Sequence, residues 1–297
     1  MGSVYPGTAI LHVLNRDYLL PLRVLRHSLM RQGAFEGCPT VIITDDPVVA
    51  EDPFIRRIAA SIEMFDAARL ARFAQIRGER INPALHAGFA PKYTFLKLSM
   101  FQDRGYDRHI FLDADMLCLR TPDAALLTGP QPAKAVEEYG ASTFPIGQEP
   151  RREDAQAVSE AYLAEHDQPA LRPIRGINSG FVVLERPLLS QAAFDGALAL
   201  ASTTAFTNEQ NLTTRTIAGS GTPFLRLPVW YNARRRIFGS LGPAHFETVR
   251  DRIVFLHYTP GKPWAMGPRS VRAWDRLWLD QRDAAEAWAN DLAASMV

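Results

Sequence analysis

Apolar runs of strand length alternate along this chain with stretches whose apolar residues recur every three to four positions. Thr8-Ala9-Ile10-Leu11-His12-Val13-Leu14 reads as a first strand. After the polar turn Asn15-Arg16-Asp17-Tyr18, a helix follows through Leu22, Leu25, Leu29 and Met30. Thr40–Thr44 is a second strand, Pro47–Ala59 a helix and Ser61–Phe65 a third strand. The chain therefore opens as successive βαβ units, an α/β pattern with a largely parallel sheet. Arg72 to Pro91 is irregular, and Tyr93–Phe101 is an amphipathic helix feeding a strand over His109–Leu119.

Beyond Pro122 the pattern changes. Gly129 to Gly176 is rich in proline and charge, with one strand candidate, Ala133 to Glu138, and reads as a cap over the site rather than an extension of the core. Ile177–Glu185 restores a strand and Leu188 to Ala201 a helix. Asn208 caps a further helix to Ala218, whose positive first turn suits Glu209. Leu225–Asn232 is a strand and bend, Arg234-Arg235-Arg236 a solvated basic face, and Arg252–Leu256 another buried strand. From Ser270 a polar helix carries Trp274, Trp278 and Trp288 as an inward stripe.

Two of these strands end on metal-competent groups. Asp113 and Asp115 stand two positions apart, so at strand period both face the same way and can share one cation. Ionised carboxylates this close repel, and a fold keeps both charged only beside a cation, a proton or Lys/Arg partners. With 18 aspartates in the chain, an Asp-x-Asp pair arises about once by chance. The second strand adds the context: Arg252–Leu256 stops on His257 before the loop Tyr258-Thr259-Pro260-Gly261-Lys262-Pro263-Trp264. Ligands of open α/β sheets lie beyond the carboxyl ends of strands. Mixed oxygen and nitrogen donors suit manganese or magnesium better than a thiolate-rich zinc site.

Composition narrows the classes. At 297 residues and 47% apolar the chain buries a large core as one extended domain or two intimate ones. A net charge of +1 argues against nucleic acid as a partner. Cys38 and Cys118 are too few for a disulfide framework and read as reduced thiols. No apolar stretch reaches the roughly 18 residues that span a bilayer, and the start of the chain has no signal-peptide profile. A cytoplasmic location is expected. Asp275, Asp280, Asp283 and Glu286 offset the arginines of the last helix, which leaves at most peripheral membrane contact.

In order along the chain come Asn15 and Tyr18, Lys97, Phe111-Leu112-Asp113-Ala114-Asp115, Asn178-Ser179-Gly180, Glu209-Gln210, and His257 with Gly261-Lys262-Pro263-Trp264. Jointly they resemble the landmarks of glycosyltransferase family eight, the glycogenin and bacterial lipopolysaccharide galactosyltransferase group, over nearly all the chain to Trp264. The resemblance implies a GT-A fold: a Rossmann-like mixed, mostly parallel sheet flanked by helices. It implies a single domain over 1–268, with a nucleotide-binding half 1–120 and an acceptor- and metal-completing half 121–268, then a C-terminal helical tail 269–297.

It further implies that Asp113, Asp115 and His257 hold manganese, or magnesium, against the diphosphate of a UDP-sugar. Tyr18 would stack on uracil beside Leu14 and Asn15. Lys97, Ala114 and Ser179 would contact the donor, and Lys262 with Gly261 would bind phosphate. Asn178 and Gln210 would face the sugar hydroxyls or the anomeric carbon, and Glu209, Gln210 and Lys262 form the catalytic set. The transfer would be retaining, moving a hexose such as glucose or galactose to a glycan, lipid-linked or small-molecule hydroxyl. A homodimer is compatible with this.

Departures from the family are local. Glu209 stands where relatives carry aspartate, and the loop after His257 is one residue shorter, with Gly261 directly before Lys262. His12 sits where relatives often have an apolar residue. No carboxylate is placed as a covalent nucleophile, so same-face attack is expected, the departing phosphate taking the acceptor proton. Loops around His86 and Asn178 would shape the donor pocket. Three rivals compete. A haloacid-dehalogenase-type phosphatase wants Thr or Val where this chain has Leu117. A nucleotidyltransferase wants a glycine-rich loop in place of Leu14-Asn15-Arg16-Asp17. A sugar-nucleotide-binding protein without turnover differs only in releasing no UDP.

Overall fold

A computed structural model describes residues 4–76, 94–139, 152–203, 206 and 208–295. His86, Pro91, Tyr93 and part of the expected cap lie outside them. The described strands are β1 (Thr8–Val13), β2 (Thr40–Thr44), β3 (Ala59–Met64), β4 (Arg108–Leu112), β5 (Met116–Cys118), β6 (Ala133–Glu137), β7 (Ala170–Leu171), β8 (Ile177–Glu185), β9 (Phe224–Arg226), β10 (Ala233–Arg234) and β11 (Phe255–His257). Eight of them form one mixed sheet in the order β3-β2-β1-β4-β8-β6-β9-β7, and β10-β11-β5 form a second. β1, β2, β3 and β4 run parallel, whereas β8 is antiparallel to both neighbours, β4 and β6.

The continuous apolar runs read from the sequence are strands covered on both faces. Every residue of β1 is buried, as a parallel strand between helical layers requires. Ala9, Leu11 and Val13 face one core with Phe101, Phe194 and Leu212. Ile10 and Leu14 face the other with Leu22, Leu25 and Leu29 of the helix Leu19–Arg31. Met30 does not continue that stripe and is 49% exposed.

Other expectations are corrected. Pro47–Ala59 is two helices, Pro47–Glu51 and Pro53–Ile58. Pro53 forces Asp52 out of the helical region, and the Asp52 side chain then caps the second helix through the Ile55 N–H. The helix expected over Tyr93–Phe101 is α-helical at Thr94 and Phe95 and tightens into a 3-10 segment over Leu96–Phe101, whose six residues are all buried, Lys97 and Ser99 included. His109–Leu119 is not one strand: β4 ends at Leu112, and after a turn β5 joins the other sheet. The strand expected over Arg252–Leu256 is Phe255–His257, so His257 belongs to it.

The stretch Gly129 to Gly176 does more than cap. It supplies the interior strand β6, the helix Arg152–Glu165 and the edge strand β7. β6 buries Lys134 and Glu137 because partners meet them: Lys134 Nζ lies 2.7 Å from Glu185, and His166 Nε2 lies 2.9 Å from Glu137. Leu225–Asn232 resolves into β9 and a 3-10 turn, Val229–Asn232. Of the arginine triplet only Arg236 is exposed. Arg234 is buried against Glu138, and Arg235 pairs with Asp275 at 2.7 Å.

The last helix, Ala273–Ala294, buries Trp274 and Trp278. Trp288 meets the rings of Phe54 and His27, so the tryptophans do form an inward stripe. Both cysteines are free thiols. Among the described residues no helix is long and apolar enough to cross a membrane.

Candidate functional site

Asp113 and Asp115 lie in the turn between β4 and β5, where the chain leaves one sheet for the other. Strand periodicity is therefore not what aligns them. The Asp113 N–H donates to the Gly180 carbonyl of β8 at 2.9 Å, and the Asp115 carbonyl accepts from the Tyr258 N–H at 3.0 Å. These bonds bring His257, the last residue of β11, to the same point. Its Nε2 is 3.3 Å from Asp115 Oδ1 and 3.9 Å from Asp113 Oδ2, and one ligand atom from each residue falls within 4.8 Å of the others.

Two lysines offset the paired negative charge. Lys97 Nζ is 2.8 Å from Asp113, and Lys262 pairs directly with Asp115. Burial works against the Lys97 charge, yet Asp113 and Glu209 hold its pKa above the ordinary lysine range. Burial likewise opposes the Asp115 charge, but His257 and Lys262 keep its carboxyl well below the usual carboxylate range. Two carboxylates and an imidazole nitrogen converging here fit a hard or borderline divalent cation such as Mn2+ or Mg2+.

The helix Glu209–Gly219 starts against this cluster, with Asn208 accepting from the Asn211 N–H as its N-cap. Ser179 of β8 receives its first turn. The Ser179 N–H donates to Gln210 Oε1 at 3.0 Å and Ser179 Oγ donates to Glu209 Oε1 at 3.1 Å. Glu209 is also 3.6 Å from Lys97 Nζ. On the other side, Lys262 Nζ lies 5.6 Å from the Tyr18 ring centroid and 5.8 Å from that of Trp264, whose ring meets Tyr18 edge-on. Gly261 has φ of +92°, and a Cβ there would lie 2.7 Å from Arg235 Nη1. The Asn15 Oδ1 is buried with no hydrogen-bond partner among the described residues.

Of the residues singled out from the sequence, Asp113, Asp115, His257, Lys97, Lys262, Asn178, Ser179, Glu209, Gln210 and Tyr18 are linked by these contacts and the ones below. Leu14 and Ala114 put their side chains in the core, which leaves only their backbone for a ligand. His12 is wholly buried beside Leu112, its Nδ1 2.7 Å from the Leu112 carbonyl oxygen, and burial with the nearby Arg26 charge pushes its pKa down to about 3. It is a packing residue next to the turn that carries Asp113 and Asp115.

Two contributors, Asn232 and Glu138, were missed in the sequence, and Gly180 was noted only as part of the Asn178-Ser179-Gly180 landmark. Asn232 Oδ1 lies 2.8 Å from His257 Nδ1. Asn178, in turn, is held by Glu138 at 2.8 Å. Gly180 has no room for a side chain, since a Cβ would come within 2.6 Å of His257 Cε1. The one visible signal was a buried asparagine closing the apolar run Val229-Trp230-Tyr231.

No family model matches the chain, and no curated protein does. Solved structures do. GlyE, a glycosyltransferase of Streptococcus pneumoniae TIGR4, is similar at 14% identity and a TM-score of 0.58, over 98% of this chain and 65% of its own. WbbM, a bifunctional glycosyltransferase, is similar at 15% identity and a TM-score of 0.56, over 95% of this chain and 50% of its own. The galactosyltransferase LgtC, solved with donor and acceptor sugar analogs, is similar at 15% identity and a TM-score of 0.51, over 93% of this chain and 95% of its own. The chain thus spans half of WbbM and less than two thirds of GlyE. The architecture is the GT-A fold that these glycosyltransferases carry.

Proposed function

We propose that this chain is a metal-dependent, retaining glycosyltransferase that moves a hexose, glucose or galactose, from a UDP-sugar to a hydroxyl of a glycan or lipid-linked saccharide. One observation carries the reading: Asp113, Asp115 and His257, drawn from two sheets, place ligand atoms within 4.8 Å of one another, on a fold shared with glycosyltransferases. Family-eight membership, which the sequence resemblance implies, belongs to the same proposal.

Asp113, Asp115 and His257 would hold manganese or magnesium, which when bound supplies positive charge opposite a departing diphosphate. Lys262 reaches the same place and adds an ammonium for the leaving UDP, with Gly261 giving its backbone clearance. Tyr18 and Asn15 would flank the nucleobase. Lys97 pairs with Asp113 and bridges it to Glu209.

Bond making and breaking occur on one face of the sugar. The acceptor oxygen forms its bond to the anomeric carbon as the bond to UDP breaks, and the acceptor proton passes to the departing phosphate oxygen. Gln210, pinned by Ser179, lines the opposite face, and no glycosyl-enzyme forms on Glu209. A Glu209 adduct trapped during turnover and detected by mass spectrometry would contradict this step.

The test of the whole reading is UDP release from UDP-glucose and UDP-galactose. Release that needs manganese and is lost in Asp115→Asn supports transfer. Tight nucleotide binding with no release at all assigns the chain to binding without turnover.

A further inference from the structure

Hydrogen-bonding sense is passed along a chain of buried side chains that ends on His257. It starts at Arg234, buried and ion-paired with Glu138, whose carboxylate oxygens therefore accept. Asn178 must turn its Nδ2 toward Glu138 Oε2, 2.8 Å away. Its Oδ1 then accepts from the Gly180 N–H at 3.0 Å and from Asn232 Nδ2 at 2.9 Å. A backbone N–H only donates and a carboxylate only accepts, so two independent neighbours fix the same orientation of the Asn178 amide.

With its Nδ2 committed to Asn178, Asn232 presents Oδ1 to His257 Nδ1 at 2.8 Å. An amide oxygen accepts only, so Nδ1 carries the proton. Nε2, the atom that faces Asp113 and Asp115, is then the nitrogen left to give its lone pair to a cation. Asn178 and Asn232 are 5% and 1% exposed, so water offers no competing partner. A ligand histidine is held this way when its other ring nitrogen donates to a fixed acceptor.

We propose that Asn178 and Asn232 are positioning residues: anchored by Glu138 and Arg234, they set His257 in its Nδ1–H tautomer before any cation binds. This rests on the metal-site reading above. It also reassigns Asn178, whose Oδ1 already accepts twice and whose Nδ2 already donates once, from the sugar contact implied by resemblance to the support of a metal ligand.

The tautomer is directly readable. In metal-free protein labelled with 15N-histidine, the His257 signals are followed as pH is raised and are assigned by their loss in His257→Gln. In wild type Nδ1 is protonated, and the neutral ring shows the Nδ1–H form alone. Asn178→Ala, one hydrogen bond removed from the imidazole, frees the Asn232 amide to turn, so the Nε2–H form becomes populated. Asn232→Leu removes the acceptor outright and does the same. In both, Mn2+ affinity measured by electron paramagnetic resonance falls about 10- to 100-fold.

A neutral Nε2–H form in wild type overturns the proposal, as does a pure Nδ1–H neutral form in both variants. If the tautomer responds but wild type binds no manganese, the positioning chain stands and the metal-dependent function fails. The wild-type spectrum decides even if a variant does not fold.

Discussion

At the scale of single residues, the site depends on small groups as much as on charged ones. Gly180→Ala places a methyl 2.6 Å from His257 Cε1. The imidazole has little freedom to retreat, since Asn232 holds it from behind. The substitution should cost about 1–3 kcal/mol in urea unfolding and should weaken Mn2+ binding with the fold retained; unchanged binding contradicts the packing described. Two histidines away from the ligands make a second prediction. Burial pushes His12 down to about 3 and His109 down to about 4. Both stay neutral in the fold while their unfolded counterparts take up a proton below about 6.5. Their stabilisation is complete above that pH and is lost as pH falls, by about 1.4 kcal/mol per unit for each. Urea midpoints should drop between neutral pH and the low fives, and His109→Gln should flatten the slope. Asp113, Asp115 and His257 were legible in the sequence because their chemistry is intrinsic to the residue type. Asn232 and Glu138 were not, because what they do is set by neighbours distant in the chain.

At the scale of elements, legibility followed how much a segment owes to its own pattern. β1, β2 and β8 stood out as long apolar runs, and β8 spans Ile177–Glu185 as read. The helix Glu209–Gly219 was marked by Asn208. β6 is legible as a strand, Ala133 to Glu138, but its place inside the sheet is not, because Lys134 and Glu137 look solvent-facing until Glu185 and His166 are placed beside them. The break at Pro53 and the 3-10 turn over Leu96–Phe101 were missed for the opposite reason. Their apolar residues satisfied a helical period that the backbone does not follow. The final helix shows how a remote element reaches the site. The Trp278 ring lies 5.0 Å from that of Trp264, which meets Tyr18 in turn. Trp278 is fully buried, so Trp278→Ala should cost about 3–5 kcal/mol in chemical denaturation and should raise the KM for nucleotide sugar through Tyr18. A loss below about 1 kcal/mol contradicts this packing.

At the scale of the whole molecule, the site is a seam. Asp113 follows a strand of the eight-stranded sheet, Asp115 precedes a strand of the three-stranded one, and His257 ends the strand beside it. A cation held there ties both sheets together in the native state only, so ligand binding should appear as global stability. The most direct measurement is the melting temperature of wild type and Asp115→Asn with a UDP-sugar, in manganese and in chelator. Ligand at about 100 times Kd adds about 2.7 kcal/mol, roughly 4 °C for a chain of 297 residues. That rise is expected for wild type in manganese and should vanish in chelator and in Asp115→Asn. An equal rise in chelator, or an undiminished one in Asp115→Asn, contradicts a nucleotide sugar held through a shared cation.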